Sequence, residues 1–596
     1  MSSRLGLSLS RARTSASRRA LSASALSLAL APLLASCETP APIREITVSG
    51  TRSWRSETFA GCVLASPLET TVAGVRSVIV ASGDGRVALL DPDTGATRAS
   101  LALPHEAGQI AHVIATPALV SAERLVVAYQ EVLATASDPA AGPRSAHRVV
   151  VVDLATMALD PAFAPLTLEA SVPAVLGSGA IDFLASNALS RSRLVHAPSS
   201  AGLGHVYVSF GNARDIQPWH GWVFEIDLEH WGTTPISAVL NTTPESDCGP
   251  AGAPGDREMV CGGGVWAPAG PLFVPAAEGR EFELVIPTGN GHLDVDQGLY
   301  AHTLMRVRGP GLHFESGCDE SLCAGFDVTD PSPECLSSCE SLFVPRMLPG
   351  DPPFDAPACA GLSFFECYAA LDWDLGANSA LRVSLSDGHD VLVLPAKDGS
   401  VYLLDAEHLG TLYDRHEVNH ACGYGMVRCD ADWAGTMVTQ PVVTTDTDGT
   451  PLVVIATFMP DEANDAGLVG LRVVSDASGP HLERAWEFPR FGTAEASQRF
   501  RKHPSGVALA RVGGVEHAIV VEQGTRDATP GVLHVVRAHD GEEALSAELE
   551  GPGQRFSVPL VLAHGEDARV VAASCENGNS GPSHLEAWDL VAHTAD

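Results

Sequence analysis

Basic residues are scarce in this chain of 596 residues. The 37 lysines and arginines are outnumbered by 72 aspartates and glutamates, which gives a formal net charge of −35. A surface with this excess of negative charge repels nucleic acid and anionic lipid headgroups. We therefore expect no nucleic-acid partner.

Several short catalytic motifs are also missing. The sequence contains no Gly-x-Ser-x-Gly motif, no phosphate-binding loop and no Cys-x-x-Cys-His haem site. Each of these motifs supplies a defined chemistry, respectively a serine nucleophile, a nucleotide cradle and a covalently bound haem. Their absence leaves no support for a serine hydrolase, a nucleotide-binding enzyme or a cytochrome-fused enzyme.

Long apolar runs are lacking beyond residue 37, where no segment reaches the ~18 apolar residues of a membrane-spanning helix. Residues 1–36 contain five arginines, no acidic residue and the apolar run ALSLALAPLLAS, a pattern that predicts a signal peptide. Leu34-Ala35-Ser36-Cys37 resembles the bacterial lipobox, in which the cysteine is lipidated. We therefore expect a lipid anchor at Cys37, a tether over 37–44, and a place in the cell envelope. The outer membrane, facing the periplasm or the cell surface, is the location that we expect.

The thirteen cysteines agree with export, because twelve remain without Cys37 and disulfides require an even number. Metal binding is the alternative, but no histidine lies among the cysteines of 318–367. Short spacing favours pairing between sequence neighbours, which leaves the first and last cysteines of the domain to pair with each other. The expected disulfides are Cys248–Cys261, Cys318–Cys323, Cys335–Cys339, Cys359–Cys367, Cys422–Cys429 and Cys62–Cys575.

A repeat runs through the rest of the chain. The words SVIVASGDGRVALLD (77–91) and VLVLPAKDGSVYLLD (391–405) both predict a strand, a tight turn at Asp-Gly and a second strand. Related units occur eight times, which predicts an all-β, eight-bladed β-propeller over 45–596. Residues 44–50 are expected to supply the outer strand of the last blade. Residues 308–370 break the pattern and predict a disulfide-rich insertion between blades four and five, either a cap or a binding lid.

Five segments resemble the quinoprotein alcohol dehydrogenase-like superfamily of PQQ-like repeat β-propellers, and more narrowly its exported bacterial lipoproteins. They are QPWHGWVFEID (217–227), GGGVWAPAGPLF (262–273), PTGNGHLD (287–294), DWDLGANSALRV (372–383) and AKDGSVYLLDAEHLG (396–410). The dehydrogenases of this superfamily hold pyrroloquinoline quinone (PQQ) on the propeller axis beside Ca²⁺, with an aspartate as base.

The resemblance implies roles for Asn290 and the two aspartates, and the residues themselves add Trp373 and His220 as candidates for the cofactor pocket. Asn290 would be a calcium ligand, and Asp372 or Asp374 would be the catalytic aspartate and a further ligand of Ca²⁺. Trp373 lies between the two aspartates, and His220 is a candidate for the cofactor pocket. The alternatives are a turn role for Asn290, capping roles for the aspartates and blade packing for His220.

Two features of the superfamily's dehydrogenases are not found, namely a pair of adjacent cysteines and an evident third calcium ligand, a glutamate. We therefore expect a monomeric, non-catalytic binding or scaffold module of the envelope. Its partner would be an envelope protein or a small molecule. The alternative is an alcohol or sugar dehydrogenase that depends on PQQ and Ca²⁺.

Overall fold

The structure is a computed structural model, and statements about it concern the residues that it describes. These are 46–135, 144–200, 202–213, 217–249, 259–275, 281–348, 359–419, 437–458, 466–490, 492, 499–524, 530–576 and 581–594. The signal peptide, Cys37, the tether up to residue 44 and the Cys422–Cys429 pair lie outside them. No helix in the described part is long and apolar enough to cross a membrane.

Eight antiparallel sheets form the blades of a propeller. The chain begins with β1 (Ile46–Arg55), which belongs to the last blade. Blades one to three then follow in chain order, with extra short strands in blades two and three. Blade one contains β2 (Leu68–Val72), β3 (Val75–Ala81), β4 (Arg86–Leu90) and β5 (Thr97–Ala102). Blade two contains β6 (Gln109–His112), β7 (Ala118–Ser121), β8 (Arg124–Leu133), β9 (Arg144–Asp153), β10 (Ala158–Leu159) and β11 (Leu166–Thr167). A hairpin of β12 (Ser171–Pro173) and β13 (Ala180–Asp182) leads to blade three, which contains β14 (Ala188–Leu189), β15 (Val195–Ala197), β16 (His205–Asn212), β17 (Trp222–Asp227) and β18 (Ile236–Asn241).

Blade four includes a hairpin, and three short helices follow its third strand. Its elements are β19 (Leu272–Val274), β20 (Phe282–Pro287), the hairpin β21 (Leu293–Asp294) and β22 (Leu299–Tyr300), β23 (Leu304–Gly309), α1 (Glu320–Cys323), α2 (Pro333–Ser338), β24 (Leu342–Phe343) and α3 (Phe364–Ala370). Blade five contains β25 (Leu381–Ser384), β26 (Asp390–Pro395), β27 (Ser400–Asp405) and β28 (Leu412–Glu417). Blade six contains β29 (Val442–Thr445), β30 (Pro451–Ala456), β31 (Leu468–Asp476) and β32 (Gly479–Phe488). Blade seven contains β33 (Ala508–Val512), β34 (Val515–Glu522), β35 (Val532–Arg537) and β36 (Glu543–Glu548). Blade eight contains β37 (Leu560–His564), β38 (Asp567–Cys575) and β39 (Ser583–Thr594).

The middle strands of each blade are buried on both faces. In blade five, every residue of β26 after Asp390 is buried, as are the first five residues of β27. Such runs of Val and Leu are expected where a sheet packs between two neighbouring sheets. The turn between these strands uses Gly399 at φ +80°, and the equivalent turn of blade one uses Gly85 at φ +74°. The similar segments 77–91 and 391–405 therefore form the same hairpin in two blades.

The ring is closed by both ends of the domain. Strand β1 pairs with β39 from Ile46 opposite Thr594 to Arg55 opposite Glu586, and gives blade eight its fourth strand. A disulfide joins Cys62 to Cys575, with Cα atoms 5.5 Å apart. Both features agree with the expectation from the sequence, because a propeller without this overlap would leave an unpaired edge.

The cysteine-rich segment departs from the expected pairing. Cys318 binds Cys339 and Cys323 binds Cys335, so the predicted pairs Cys318–Cys323 and Cys335–Cys339 are wrong. The physical reason is that α1 lies against α2, which brings the cysteines of one helical segment to those of the other. Pairing between neighbours was right for Cys248–Cys261 and Cys359–Cys367.

Residues 308–370 include a strand of blade four in addition to the cysteine-rich segment. Strand β24 lies inside this range and pairs with β23, so it is the outer strand of blade four. Helix α3 lies at its end and leads directly into Asp372 and Asp374. The range is therefore interrupted by a blade strand, and its last part positions two of the predicted site residues.

Candidate functional site

A cluster of polar side chains joins blades four and five. Asn290 follows β20, Asp372 and Asp374 follow α3, and Lys397 lies in the turn between β26 and β27. All four belong to loops at the blade edges rather than to the strands themselves. Loops on a rigid propeller are the usual place for binding residues.

The four side chains form one chain of contacts. Asn290 Nδ2 donates to Asp372 Oδ1 at 2.6 Å, and Lys397 Nζ lies 2.9 Å from Asp372 Oδ2. Lys397 Nζ also donates to Asp374 Oδ2 at 3.1 Å. Asp374, Asn290 and Lys397 are 2%, 4% and 6% exposed, whereas the Asp372 side chain keeps 17% of its surface. Of the two carboxylates, only Asp372 is therefore accessible to a small molecule.

Helix α3 sets the direction of Asp372. The Asp372 N–H donates to Ala369 O and the Trp373 N–H donates to Tyr368 O, the two bonds of a Schellman helix end. Asp372 takes the left-handed position of this motif with φ +56°, a position that glycine usually fills. Aspartate is one of the few residues besides glycine that tolerate this backbone, so the helix end and the carboxylate are compatible.

Burial and neighbouring charges shift the pKa values of Asp374 and Lys397. Burial raises the pKa of Asp374, and the neighbouring Asp372 carboxylate adds to this effect, while Lys397 opposes it. Burial alone would lower the pKa of Lys397, but Asp372 and Asp374 together outweigh burial and raise it. Lys397 is thus a permanent cation between two acidic groups. Perturbed carboxyl groups of this kind concentrate at functional sites.

Two oxygens of the cluster have no ordinary hydrogen bond among the described residues. They are Asn290 Oδ1 and Asp374 Oδ1, and both are buried. Leaving a buried oxygen unpaired costs free energy, about 1–3 kcal/mol for a neutral group. Amide and carboxylate oxygens are the ligands that hard cations prefer. These two oxygens are therefore the candidate ligands for a Ca²⁺-like ion, whose remaining ligands would come from elsewhere.

Aromatic rings from several blades meet beside the cluster, in what we call the axial aromatic layer: Trp266, Phe458, His503 and Phe556. The His503 ring lies 3.8 Å from that of Phe458 and 5.4 Å from that of Phe556, centroid to centroid. The Arg191 guanidinium lies 5.5 Å from the Trp266 ring and 5.1 Å from the Phe556 ring. Blades three and eight are not neighbours, so residues from both can meet only near the axis.

This layer is cationic. Lys397 Nζ lies 5.5 Å from the Trp266 ring, and Arg555 lies 4.9 Å from the Phe556 ring. Burial lowers the pKa of His503, and the charges of Arg555, Arg191 and Lys397 lower it further, so this imidazole is neutral near pH 7. Trp266 is closely packed, since a Cβ at Gly376 would lie 2.8 Å from its Nε1. The axis thus offers aromatic rings bordered by positive charge in a protein that is strongly acidic overall.

Two predicted residues are not in the cluster. His220 Nδ1 lies 2.8 Å from Thr243 O and its Nε2 lies 3.5 Å from Cys248 Sγ, so its ring packs within blades three and four. Burial lowers the pKa of His220 to about 4. Trp373 packs edge-on against Tyr368 of α3, with centroids 6.0 Å apart. The structure favours the packing alternative for His220 and places Trp266, instead of Trp373, beside Lys397.

Sequence reasoning missed Lys397 and Trp266, although both lie in the quoted segments. The signal for Lys397 was the rarity of lysine, since the only other one is Lys502. A His-Glu-x-x-His pattern at 416–420 was also missed, but His416 and Glu417 end strand β28. The zinc chemistry of that motif requires a helix, so the strand argues against a metalloprotease. His420 lies outside the described residues.

Known proteins resemble this chain in structure. No protein-family model and no curated protein matches the sequence. Quinohemoprotein alcohol dehydrogenase ADHIIG from Pseudomonas putida HK5 is similar with a TM-score of 0.50 and 11% identity, over 91% of this chain and 76% of that chain. A europium-containing methanol dehydrogenase is similar with a TM-score of 0.50 and 12% identity, over 91% of this chain and 93% of that chain. BamB from Moraxella catarrhalis gives a TM-score of 0.42 and 11% identity, over 91% of this chain and all of that chain. At such low identities the likeness concerns the fold alone, and this chain has an eight-bladed β-propeller fold similar to that of these dehydrogenases.

Proposed function

We propose that the protein is an oxidoreductase that uses a bound quinone cofactor of the PQQ type together with a hard cation. One observation carries the proposal: Asn290, Asp372, Asp374 and Lys397 converge in one buried cluster beside the axial aromatic layer. A non-catalytic scaffold needs no such cluster, and a buried lysine between two carboxylates is rarely a source of stability. The geometry therefore favours the catalytic alternative of the sequence analysis over the scaffold.

The cation would be held by Asn290 and Asp374. Each of them has a buried oxygen without a hydrogen bond of ordinary geometry in the described part of the chain, although the Gly376 N–H acts on the Asp374 carboxylate and lowers its pKa. Europium ions, which the similar methanol dehydrogenase contains, share with Ca²⁺ a preference for oxygen ligands. We propose that either ion fits the same donors.

The cofactor would be held by the axial aromatic layer. A planar ring system stacks on aromatic side chains, and carboxylates of the cofactor would face the positive charges of Arg191, Lys397 and Arg555. When bound, a quinone of this type accepts two electrons from the substrate, and the redox chemistry is its own. The protein's part is to bind, orient and move a proton.

Asp372 is the proposed base. It is the more exposed carboxylate, and its Oδ2 atom is held by Lys397 while its Oδ1 atom accepts from Asn290. A base fixed by two donors keeps its orientation toward a substrate hydroxyl and accepts that proton. Asp374 holds the other side of the lysine and is a positioning residue for Asp372. The substrate class that we propose is a primary alcohol or a sugar hydroxyl.

The proposal is tested by titrating the purified protein with PQQ, with and without Ca²⁺, and following tryptophan fluorescence and melting temperature. We expect saturable, Ca²⁺-dependent quenching that is at least tenfold weaker in Asn290→Ala and Asp374→Asn. Asp330→Asn, an exposed carboxylate outside the cluster, is the control and should match the parent. If the parent shows neither quenching nor a thermal shift, the oxidoreductase proposal is wrong and the scaffold function regains priority.

We also propose that the protein is an envelope lipoprotein attached through Cys37. Five disulfides in the described part support an oxidising compartment, because such bonds are rare in the cytosol. Metabolic labelling with a fatty-acid analogue should mark the parent protein and not Cys37→Ser. Equal labelling of both proteins would refute the anchor.

A further inference from the structure

A cavity lies along the inner edges of the blades. It has a volume of about 380 Å³ and is lined by residues of blades one to six. Those residues include Ala118, Leu194, Pro271, Ala380 and Pro441, which belong to or adjoin the inner strands of five blades. Its lining includes none of the polar cluster and none of the axial aromatic layer. It is therefore a separate space, further along the same inner segments.

One cation enters this cavity. Arg193 lines it from the inner segment of blade three; its side chain is accessible to solvent, yet protein atoms surround it closely enough to desolvate the guanidinium. Its side chain makes no hydrogen bond or ion pair with any residue that the structure describes. Among the residues that the structure describes, no aspartate or glutamate lines the cavity. Burial lowers the pKa of Arg193, and no carboxylate offsets this.

Three other arginines of the chain have carboxylate partners. The pKa values of Arg148, Arg382 and Arg569 are raised. In each case burial alone would lower the pKa, and nearby carboxylates outweigh this effect. Arg346 shares with Arg193 a pKa lowered by burial with no carboxylate to offset it, but it does not line the cavity. A guanidinium in the position of Arg193 has its donors free for an external oxyanion.

The rest of the lining is largely apolar. It includes Leu68, Leu119, Val195, Leu272 and Phe273, and the volume lies within the range of small-molecule sites. A site with apolar walls and one convergent charge suits a ligand with an apolar body and one anionic group. A doubly charged ligand would leave one charge in apolar surroundings without a partner.

We propose that this cavity binds a small organic monocarboxylate with an apolar body, held by Arg193 and buried against the inner strands. The binding site is independent of the proposed oxidoreductase chemistry and requires neither quinone nor metal. It gives the acidic propeller a second ligand class, an apolar anion, at a place distinct from the polar cluster.

Calorimetric titration with octanoate tests the proposal, with 1-octanol as a probe that has the same apolar body and no charge. We expect saturable binding of octanoate to the parent, at least tenfold weaker binding to Arg193→Gln, and substantial rescue in Arg193→Lys. Arg511→Gln, an exposed arginine of blade seven, should bind like the parent. Melting temperatures of all variants, measured without ligand, check that each one is folded.

Three results would overturn the inference. They are the absence of saturable octanoate binding to the parent, equal affinity in folded Arg193→Gln, and equal affinity for octanol and octanoate. None of these results bears on PQQ binding, which is measured separately in the same preparations. The failure of this inference is therefore distinguishable from the failure of the proposed function.

Discussion

At the scale of single residues, the central feature is a buried cation between two acids. Lys397 contacts Asp372 and Asp374, and the chain uses arginine for nearly every other positive charge. An ammonium is a compact charge that approaches two carboxylates at once, whereas a guanidinium requires a wider planar fork. The choice of lysine here is therefore specific to the geometry of the cluster.

Removing this charge should destabilise the protein. In Lys397→Met, two carboxylates lose their counter-charge in a buried place, and we expect a loss of about 3–5 kcal/mol. Urea unfolding at pH 7 measures the change. Lys502→Met is the matched control and should lie within about 0.5 kcal/mol of the parent. A loss below about 1 kcal/mol for Lys397→Met would mean that the cluster is not a coupled unit.

The raised pKa of Asp374 predicts a pH dependence of known sign. Its pKa in the folded protein lies above the ordinary value of 3.8, so the folded state binds the proton more tightly than the unfolded state. Its contribution to stability is therefore full below about pH 4 and is lost as pH rises through the raised pKa. The free energy of unfolding of the parent, minus that of Asp374→Asn, should therefore fall as the pH rises from about 4 to about 6. A difference that is flat or that rises with pH would contradict the assigned shift.

At the scale of secondary-structure elements, helix α3 links the cysteine-rich segment to the site. The Cys359–Cys367 disulfide lies in this segment, and Tyr368 OH donates to Asp398 Oδ2 at 2.8 Å. Asp398 is in the turn that also holds Lys397. One short helix thus positions Asp372 by its end and contacts the lysine turn by its side.

Substitutions at Asp372 separate the backbone role from the carboxylate. Asp372→Gly keeps the left-handed position without strain, whereas the strain in Asp372→Ala costs about 1 kcal/mol. We expect the glycine variant to be the more stable by roughly that amount in urea unfolding, while both variants lose alcohol oxidation. Equal stability would show that the left-handed geometry at Asp372 is not maintained.

The sequence predicted most of the fold because propeller blades repeat. Hairpins such as 391–405 carry their own strand pattern and Asp-Gly turn, so the architecture follows from local signals. The pairing of Cys318 and Cys339 could not be predicted, because it depends on how α1 packs against α2. Trp266 was missed for a related reason: its contact with Arg191 and Lys397 joins three blades and leaves no trace in spacing.

Three residues of the candidate cluster were named from the sequence. Asn290, Asp372 and Asp374 were named from their resemblance to a family, and the structure brings them together. The proposed choice of Asp372 over Asp374 as the base depends on the helix end, since only Asp372 has the left-handed backbone and retains some exposure. The position of His220 against Thr243 depended on the path of two loops, which a single sequence does not reveal.

At the scale of the whole molecule, closure of the ring organises the axis. Strand β1 and β39 pair across the two ends of the domain, and Cys62–Cys575 fixes the same junction. Residues of the axial aromatic layer come from blades four, six, seven and eight. The layer therefore depends on every blade holding its place in the ring.

Breaking the closure should loosen blade eight first. We expect Cys62→Ser/Cys575→Ser to lose about 2–4 kcal/mol of stability under oxidising conditions. Hydrogen exchange should accelerate in β1 and β39, while β20 of blade four, on the far side of the ring, serves as the internal control. Uniform acceleration in all blades, or none in β1, would contradict this role of the closure.

The most direct test of the central claim is to locate the cation. Crystals grown with PQQ and Eu³⁺ would be measured at the europium absorption edge, and an anomalous difference map would be calculated. We predict one strong peak within coordination distance of Asn290 Oδ1 and Asp374 Oδ1, lost in crystals of Asp374→Asn. Peaks confined to exposed carboxylates, with none at this cluster, would contradict the claim.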